Sequence, residues 1–506
     1  MPVKPLFNPT NNKEWVNRHN TFTQNIENLY DVFNGNTDNV VDDYNNMTAA
    51  IQDMIGKAIQ SDKRLKVLGG GWSFTKIATT DGWMLDSKQM NMTVNVSPLN
   101  ISAEYSGDKD QLLFVQCGNS VKELNDLLRS KNRSLKTCGA SNGQTIIGAI
   151  STGTHGSAID FGATQDFIAG LHIIISPTRH IWLERASYPV VSDTFINRLN
   201  TELIRDDDLF NSALVSFGSF GFIHGAMIET EQLYLLECYR KLVPLNDLKN
   251  VMNTLDFSNV QFMPHGNERP FHFQWLINPN DLQRGAYVTF MYKRAYKDDY
   301  LPGINDPDKA GPGDDAPIFI GKITDLFPSL TREIVNQVFK MSYAPFENVW
   351  GTCGEIFYNT DTRGKVASAA IGIPLSFVSQ VNDLLIDLNN QDTFAGVFSY
   401  RYVKGTKATL GFTAFDHTCV VELDGVLSSG TKNFYNKVWQ ELDKHNIPYT
   451  FHWGKLNNMN GPVIRKMYGT KVNKWIDARN TLLPPSSIKV FNNEILSLWE
   501  LDAIKN

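Results

Sequence analysis

The stretch Gly139-Ala140-Ser141-Asn142-Gly143-Gln144-Thr145-Ile146-Ile147-Gly148-Ala149-Ile150-Ser151-Thr152-Gly153-Thr154-His155-Gly156-Ser157 decides the fold. Its small residues let backbone come close to a large planar ligand, and its hydroxyls and amides can satisfy phosphate and ring heteroatoms. Ile146, Ile147 and Ile150 punctuate it and would anchor it inward. A glycine-rich surface loop has no use for such anchors.

Upstream, a short strand at Leu65–Leu68 runs into Gly69-Gly70-Gly71-Trp72-Ser73-Phe74. Consecutive amides without Cβ atoms can cradle a pyrophosphate; a plain turn between strands fits the same run. No Gly-Lys-Ser/Thr follows, and the run is not a dinucleotide GxGxxG fingerprint. Met47–Gln60 carries helical spacing. Leu112–Cys117 reads as a strand, and Ser120-Val121-Lys122-Glu123 as a capping box opening a helix. Downstream, a strand at Leu171–Ser176 has a hairpin partner near His180–Glu184. A second glycine turn, Ser216-Phe217-Gly218-Ser219-Phe220-Gly221, precedes a long strand pattern from Phe222 to Arg240.

Past residue 240 the strands are long and alternating: Phe271–Ile277, Tyr287–Tyr296, Val366–Ile373, Gly396–Val403 and Thr418–Leu423. Amphipathic helices are expected near Ile318–Met341, Leu375–Leu388 and Lys432–His445. That texture predicts an antiparallel sheet with helices on one face, hence an α+β chain. Residues 1–44, polar and Asn-rich with a helical stretch near Phe22–Phe33, read as an N-terminal extension. The change of texture near 240 then divides the rest into one domain over 45–240 and a second over 241–506. Asp298–Pro317, rich in Pro, Gly and Asp, reads as a surface loop or lid.

With 506 residues, 42% hydrophobic and 20% charged, the chain has ordinary globular composition and room for at least two cores. A formal charge of −6 and no basic stripe argue against a nucleic-acid partner. No apolar run reaches the roughly 18 residues of a membrane span, and the first residues lack the apolar core of a secretory signal. A cytoplasmic protein is the expectation. The five cysteines are scattered without CxxC spacing, which disfavours a metal site or a disulfide framework.

Gly69–Phe74, Ile147–Ser157 and Ser216–Ile223 together resemble the three FAD-binding segments of the vanillyl-alcohol-oxidase/PCMH-type flavoproteins. Phe451-His452-Trp453-Gly454-Lys455 resembles the HWGK signature of their aldonolactone oxidase and alditol oxidase branch. The resemblance implies a two-domain fold, an FAD domain followed by a cap domain, with the flavin at their junction. It implies that Gly69, Gly70, Gly71 and Ser73 hold the FAD pyrophosphate. Ser141, Gly148, Ser151, Thr152, Gly153, His155 and Gly156 then line the flavin, Gly218, Gly221 and Ile223 support the adenosine part, and His452 and Lys455 sit at the reactive face.

Two departures from the family pattern matter. Covalent members carry histidine where this chain has Trp72, and a cysteine where it has Asn142, with Cys138 four residues off. Non-covalent FAD is therefore expected, with Trp72 packed against it. Relatives also carry a Glu-x-Arg pair on a cap strand. Here Ser399-x-Arg401 keeps only the arginine, and Glu422-x-Asp424 stands where alditol oxidases have His-x-Thr. Strand alternation puts each pair on one sheet face. Such a charged patch is either a substrate pocket or a set of structural ion pairs.

As a pocket, Arg401 and Lys455 would polarise an alcohol. Glu422 is the first candidate for proton acceptor and His452 the second, with Ser399 and Asp424 touching substrate. The expected activity is FAD-dependent oxidation of a CH–OH group on a sugar, polyol, aldonolactone or amino-sugar-like molecule. Electrons pass to O2 or another acceptor, and Thr154 is the candidate gate for oxygen. A non-catalytic protein that keeps FAD with a decayed pocket is the alternative. A nucleotide- or sugar-binding module without flavin is the third reading, and it predicts a colourless protein.

Overall fold

The computed structural model describes residues 4–302, 309–314, 316, 320, 332–360 and 364–505. The expected helix near Ile318–Met341 and the expected loop Asp298–Pro317 lie partly outside them. Of the first, Arg332–Ser342 is seen as helix.

Two sheets build the first half. In the smaller one, Leu6–Pro9, Asn28–Phe33, Trp83–Asp86 and Leu65–Leu68 lie side by side, the last three parallel. The helical reading of Phe22–Phe33 is thus corrected. Its aromatic residues fall at helical spacing, but Asn25 and Asn28 are poor helix formers, and pairing with Trp83–Asp86 gives this backbone its partners. Asn28–Phe33 lies inside this sheet, with Leu6–Pro9 as its edge, so the N-terminal residues are part of the first sheet.

The larger sheet runs Glu202–Arg205, Arg179–Glu184, Ile168–Ser176, Phe222–Gln232, Leu112–Gln116, Thr93–Asn95. Helix Val40–Gln60 packs its Met47, Ile51, Met54 and Ile55 into the core beneath. The capping box forms as read: Glu123 N donates to Ser120 Oγ (3.1 Å) and Ser120 N to Glu123 Oε2 (2.7 Å).

The third sheet has eight strands, in the order Phe346–Gly351, Tyr234–Val243, Ala286–Ala295, His272–Ile277, Gly396–Lys404, His417–Val426, Val366–Pro374, Thr450–Phe451. All its pairings are antiparallel. Helices Val378–Gln391 and Ser429–Lys444 contribute buried faces to its core. The boundary expected near 240 falls inside Tyr234–Val243. The chain passes from one sheet to the other at Leu233, because the pattern from Phe222 to Arg240 is two strands in succession.

The last residues return to the first half. Trp475 Nε1 donates to Val215 O (3.0 Å), Arg479 Nε to Ser219 O (3.1 Å), and Asn493 Nδ2 to Ile77 O (3.0 Å) and Thr79 O (2.9 Å). Residues 461–498 therefore back the glycine turns, so the division at 241–506 does not describe one body. No described helix is long and apolar enough to cross a membrane.

Candidate active site

One cleft collects the glycine segments of the first half and the charged strands of the third sheet. It encloses about 1520 Å³ of empty space, its open mouth included. Gly69, Gly70, Gly71, Trp72 and Ser73 line it, with Ser141, Gly148, Ser151, Thr152, Thr154 and His155. Gly218, Gly221 and Ile223 line it too, as do Arg401, Glu422, His452 and Lys455.

Backbone forms the wall where glycine was expected to do so. A Cβ on Gly70 would stand 2.5 Å from Gly143 O. Gly221, at φ +95°, would put one 2.6 Å from Ile174 O. Ile146–Ser151 is a short helix whose Thr145 N-cap hydroxyl accepts from Gly148 N (3.3 Å), and its isoleucines sink into the core as anchors. Gly153 and Gly156 do not line the cleft. Gly153 turns the chain at φ +74° against Phe412, and a side chain on Gly156 would strike the carbonyl of Cys138, so packing requires those two.

The HWGK segment hangs from strand Val366–Pro374, with Phe451 opposite Ile371 and Leu456 N donating to Ser368 O (2.9 Å). Trp453 is the anchor: it is fully buried, and its Nε1 donates to Leu410 O (2.7 Å). The turn around it presents His452, Gly454 and Lys455 to the cleft. Phe74 N donates to Gly454 O (2.7 Å), which ties the first glycine segment to this turn.

Strand register decides the charged face. Ser399 lies opposite Glu422, and Ser368 opposite Asp424. Arg401 and Glu422 are both buried, and Arg401 Nε stands 3.0 Å from Glu422 Oε2, an ion contact off the hydrogen-bond line. Lys455 Nζ is 3.8 Å from Glu422 Oε1 and donates to Ser368 Oγ (2.6 Å), which donates in turn to Asp424 Oδ1 (2.5 Å). Asp424 and Ser399 stay behind the wall, the latter receiving a bond from Gln274 Nε2 (3.4 Å). The structure thus brings Arg401, Glu422 and Lys455 together and keeps the two expected substrate contacts, Ser399 and Asp424, out of the cleft.

His452 Nδ1 accepts from Gly454 N (3.0 Å), so in the neutral ring Nε2 carries the proton. Burial holds this histidine well below its ordinary range, and His155 and Lys455 push the same way. Its Nδ1 lone pair is thus already engaged, and Nε2–H is what the neutral ring can offer the cleft.

Residues that the sequence reading passed over also line the cleft. His19 stacks on Phe74 (3.8 Å between ring centres) and its Nε2 donates to Trp72 O (3.0 Å). Burial, then the charge of Lys455, pulls it to about 3. It comes from the N-terminal residues, where no motif marked it. Lys66 lines the cleft from strand Leu65–Leu68, and its only signal was a charged residue on an inward side of a buried strand. Asn142 turns away, its amide donating to Phe357 O, and Cys138 Sγ faces Cys353 Sγ at 2.9 Å. All five cysteines are free thiols.

A flavin dinucleotide fits this cleft. Glycine backbone walls part of it, at Gly70 and Gly221 among others. Apart from the Arg401–Glu422 ion contact, the buried lining atoms Trp72 Nε1 and Gln144 Oε1 have no hydrogen-bond partner among the described residues.

Comparison with known proteins agrees. Residues 46–182 match the family model of an FAD binding domain. A putative D-arabinono-1,4-lactone oxidase of Neurospora crassa is 24% identical over 256 residues, which are 50% of this chain and 41% of that protein. The D-arabinono-1,4-lactone oxidase of Candida albicans is 23% identical over 43% of this chain and 37% of its own length. An L-gulono-1,4-lactone dehydrogenase of Mycobacterium tuberculosis is 25% identical over 46% and 44%. The chain thus spans less than half the length of these relatives.

Among solved structures, cholesterol oxidase from B. sterolicum superposes with a TM-score of 0.69. The match covers 98% of this chain and 97% of that one at 11% identity, a likeness of fold. FAD is the cofactor of this chain, and the α+β two-domain class read from its strands holds.

Proposed function

We propose, from the match to an FAD binding domain and the likeness to aldonolactone oxidases, that this chain is a PCMH-type flavoprotein that oxidises a CH–OH carbon of a neutral sugar lactone or polyol. The observation that carries this is the placing of Arg401, Glu422 and Lys455 in the same cleft as the glycine segments. Bound FAD supplies the acceptor for the hydride. Arg401 and Lys455 set positive charge beside the alcohol oxygen, which favours loss of its proton. Glu422, fixed between them, is the proton acceptor, and His452 Nε2–H orients a substrate oxygen.

The two carboxylates already have partners: Glu422 has the two cations, and Asp424 has Ser368 outside the cleft. Neither is left to seat an amine, so a neutral substrate is favoured over an amino sugar. FAD is held without a covalent bond, since Trp72 offers no attachment atom and Cys138 faces Cys353. Acid precipitation then releases all the flavin into the supernatant. Thr154 lines the cleft beside His155 and is the residue to vary when oxygen is tested against other acceptors.

The test is anaerobic mixing of the yellow protein with L-gulono-1,4-lactone, D-arabinono-1,4-lactone and a panel of polyols. The proposal expects the visible flavin band to bleach with at least one of them. A protein that keeps FAD and bleaches with none, while a chemical reductant still bleaches it, is the flavin-binding alternative without turnover.

A further inference from the structure

Lys66 is not needed by the chemistry above, yet it is buried in the wall of the same cleft. Its Nζ donates to the carbonyls of Phe217 (3.0 Å) and Gly218 (3.1 Å), in the second glycine turn. The neighbouring carbonyl, Ser219 O, takes Arg479 Nε (3.1 Å). The other nitrogens of that buried guanidinium donate to Leu501 O (2.9 Å) and Ile488 O (3.1 Å). Two cations from distant parts of the chain therefore grip three successive carbonyls. Among the described residues no carboxylate pairs with Lys66, and the charge that bears on it is the like charge of Arg479.

Burying a cation without an anion costs several kcal/mol, and carbonyl dipoles offset only part of that. Burial and Arg479 accordingly hold the Lys66 amine well below the ordinary lysine range. An ammonium has three N–H donors, and two are used. A surface lysine would serve to staple a turn at lower cost, as would an uncharged amide. What a buried ammonium adds is charge, in a cleft whose ligand is a dinucleotide with a diphosphate as its anionic group.

We propose that Lys66 is the charge partner of the FAD diphosphate, so that cofactor binding supplies the anion this buried cation lacks. Lys66 then selects for phosphate-bearing ligands, and the glycine amides serve shape more than charge. The inference rests on FAD as cofactor and is independent of which alcohol is oxidised.

The experiment titrates FAD, ADP and adenosine into the flavin-stripped full chain by calorimetry, for wild type, Lys66→Gln, Lys66→Met and Lys66→Arg. Glutamine keeps a donor for the carbonyls and removes the charge, so it separates the two roles and guards against a methionine variant that does not fold. The expected result is that Lys66→Gln and Lys66→Met weaken FAD and ADP at least about 10-fold while adenosine changes less than about 2-fold. Lys66→Arg should stay near wild type. If Lys66→Gln binds FAD and ADP like wild type, or if it loses adenosine as strongly as ADP, Lys66 is a staple of the turn and the proposal is overturned.

Discussion

The glycine-lined part of the cleft is walled largely by main chain, whereas the part formed by the third sheet is walled by buried side-chain charge. Around Gly70, Gly148 and Gly221 what matters is the absence of atoms, and a single Cβ would meet a carbonyl or hydroxyl oxygen. Around Glu422 what matters is charge: Arg401 stands 3.0 Å and Lys455 3.8 Å from its carboxylate, the first placed by the neighbouring strand and the second by the turn after Phe451. The first kind of wall is damaged by adding an atom and the second by removing a charge. The two parts should therefore fail separately: one loses FAD, the other loses turnover.

The sharpest cut between them is Lys455→Met. It should lower the rate of flavin reduction by about 1000-fold with FAD content unchanged, as removal of a group that stabilises developing charge does. Equal loss of rate and of bound flavin would erase the distinction between the two parts. Glu422→Gln should come next. It leaves Arg401 and Lys455 without this carboxylate and should cost about 3 kcal/mol of stability as well as turnover, read from denaturant midpoints.

In the glycine-lined part, Gly221→Ala asks an L-residue to hold φ +95° with its Cβ against Ile174 O. Loss of most bound FAD and about 2 kcal/mol is expected, read from the flavin-to-protein absorbance ratio and a melting curve. A variant that keeps full FAD would show that the second glycine turn is not part of the cofactor wall.

Acid should act on the fold behind the cleft. Burial pulls His224 and His272 to about 3 and His172 well below its usual range. Like charge adds to this, from His180 on His224, from Arg401 on His272, and from His224 and His180 on His172. These rings are neutral when folded but take a proton near pH 6.5 when unfolded. Their contribution is thus complete above about pH 6.5 and is lost as pH falls from there toward about 3. Unfolding midpoints between pH 8 and 4 should show the decline, and His224→Gln should flatten it. The smallest effect expected is that of Ser399→Ala. It removes one long bond from Gln274 behind the wall, and should change flavin reduction less than about 2-fold.

Much of this was legible from residues alone. Glycine clusters at Gly69–Gly71 and Gly139–Ser157 announce a backbone wall because only glycine tolerates such approaches, and the structure puts both in one cleft. The pairing of Ser120 with Glu123 is local and formed as read. Gly153 and Gly156 look the same in sequence as Gly148, yet they answer to Phe412 and Cys138. Asp424 shares a face with Glu422 but lies out of the cleft, because period-2 alternation gives the face and not the depth along it.

The family resemblance picked out Arg401, Glu422 and Lys455, whereas residue type and spacing by themselves determined the α+β class and the glycine-built ligand wall. Those signals are local, set by backbone sterics and strand period. Only the tertiary structure decided that Glu422 is shared by two cations and that His452 Nδ1 is taken up by the Gly454 amide. It also decided that residues 1–44 supply an edge of the first sheet and His19 to the cleft, and that the last helices return behind the second glycine turn. Each of these joins residues far apart in the chain, and no local pattern records which distant group will meet a buried charge.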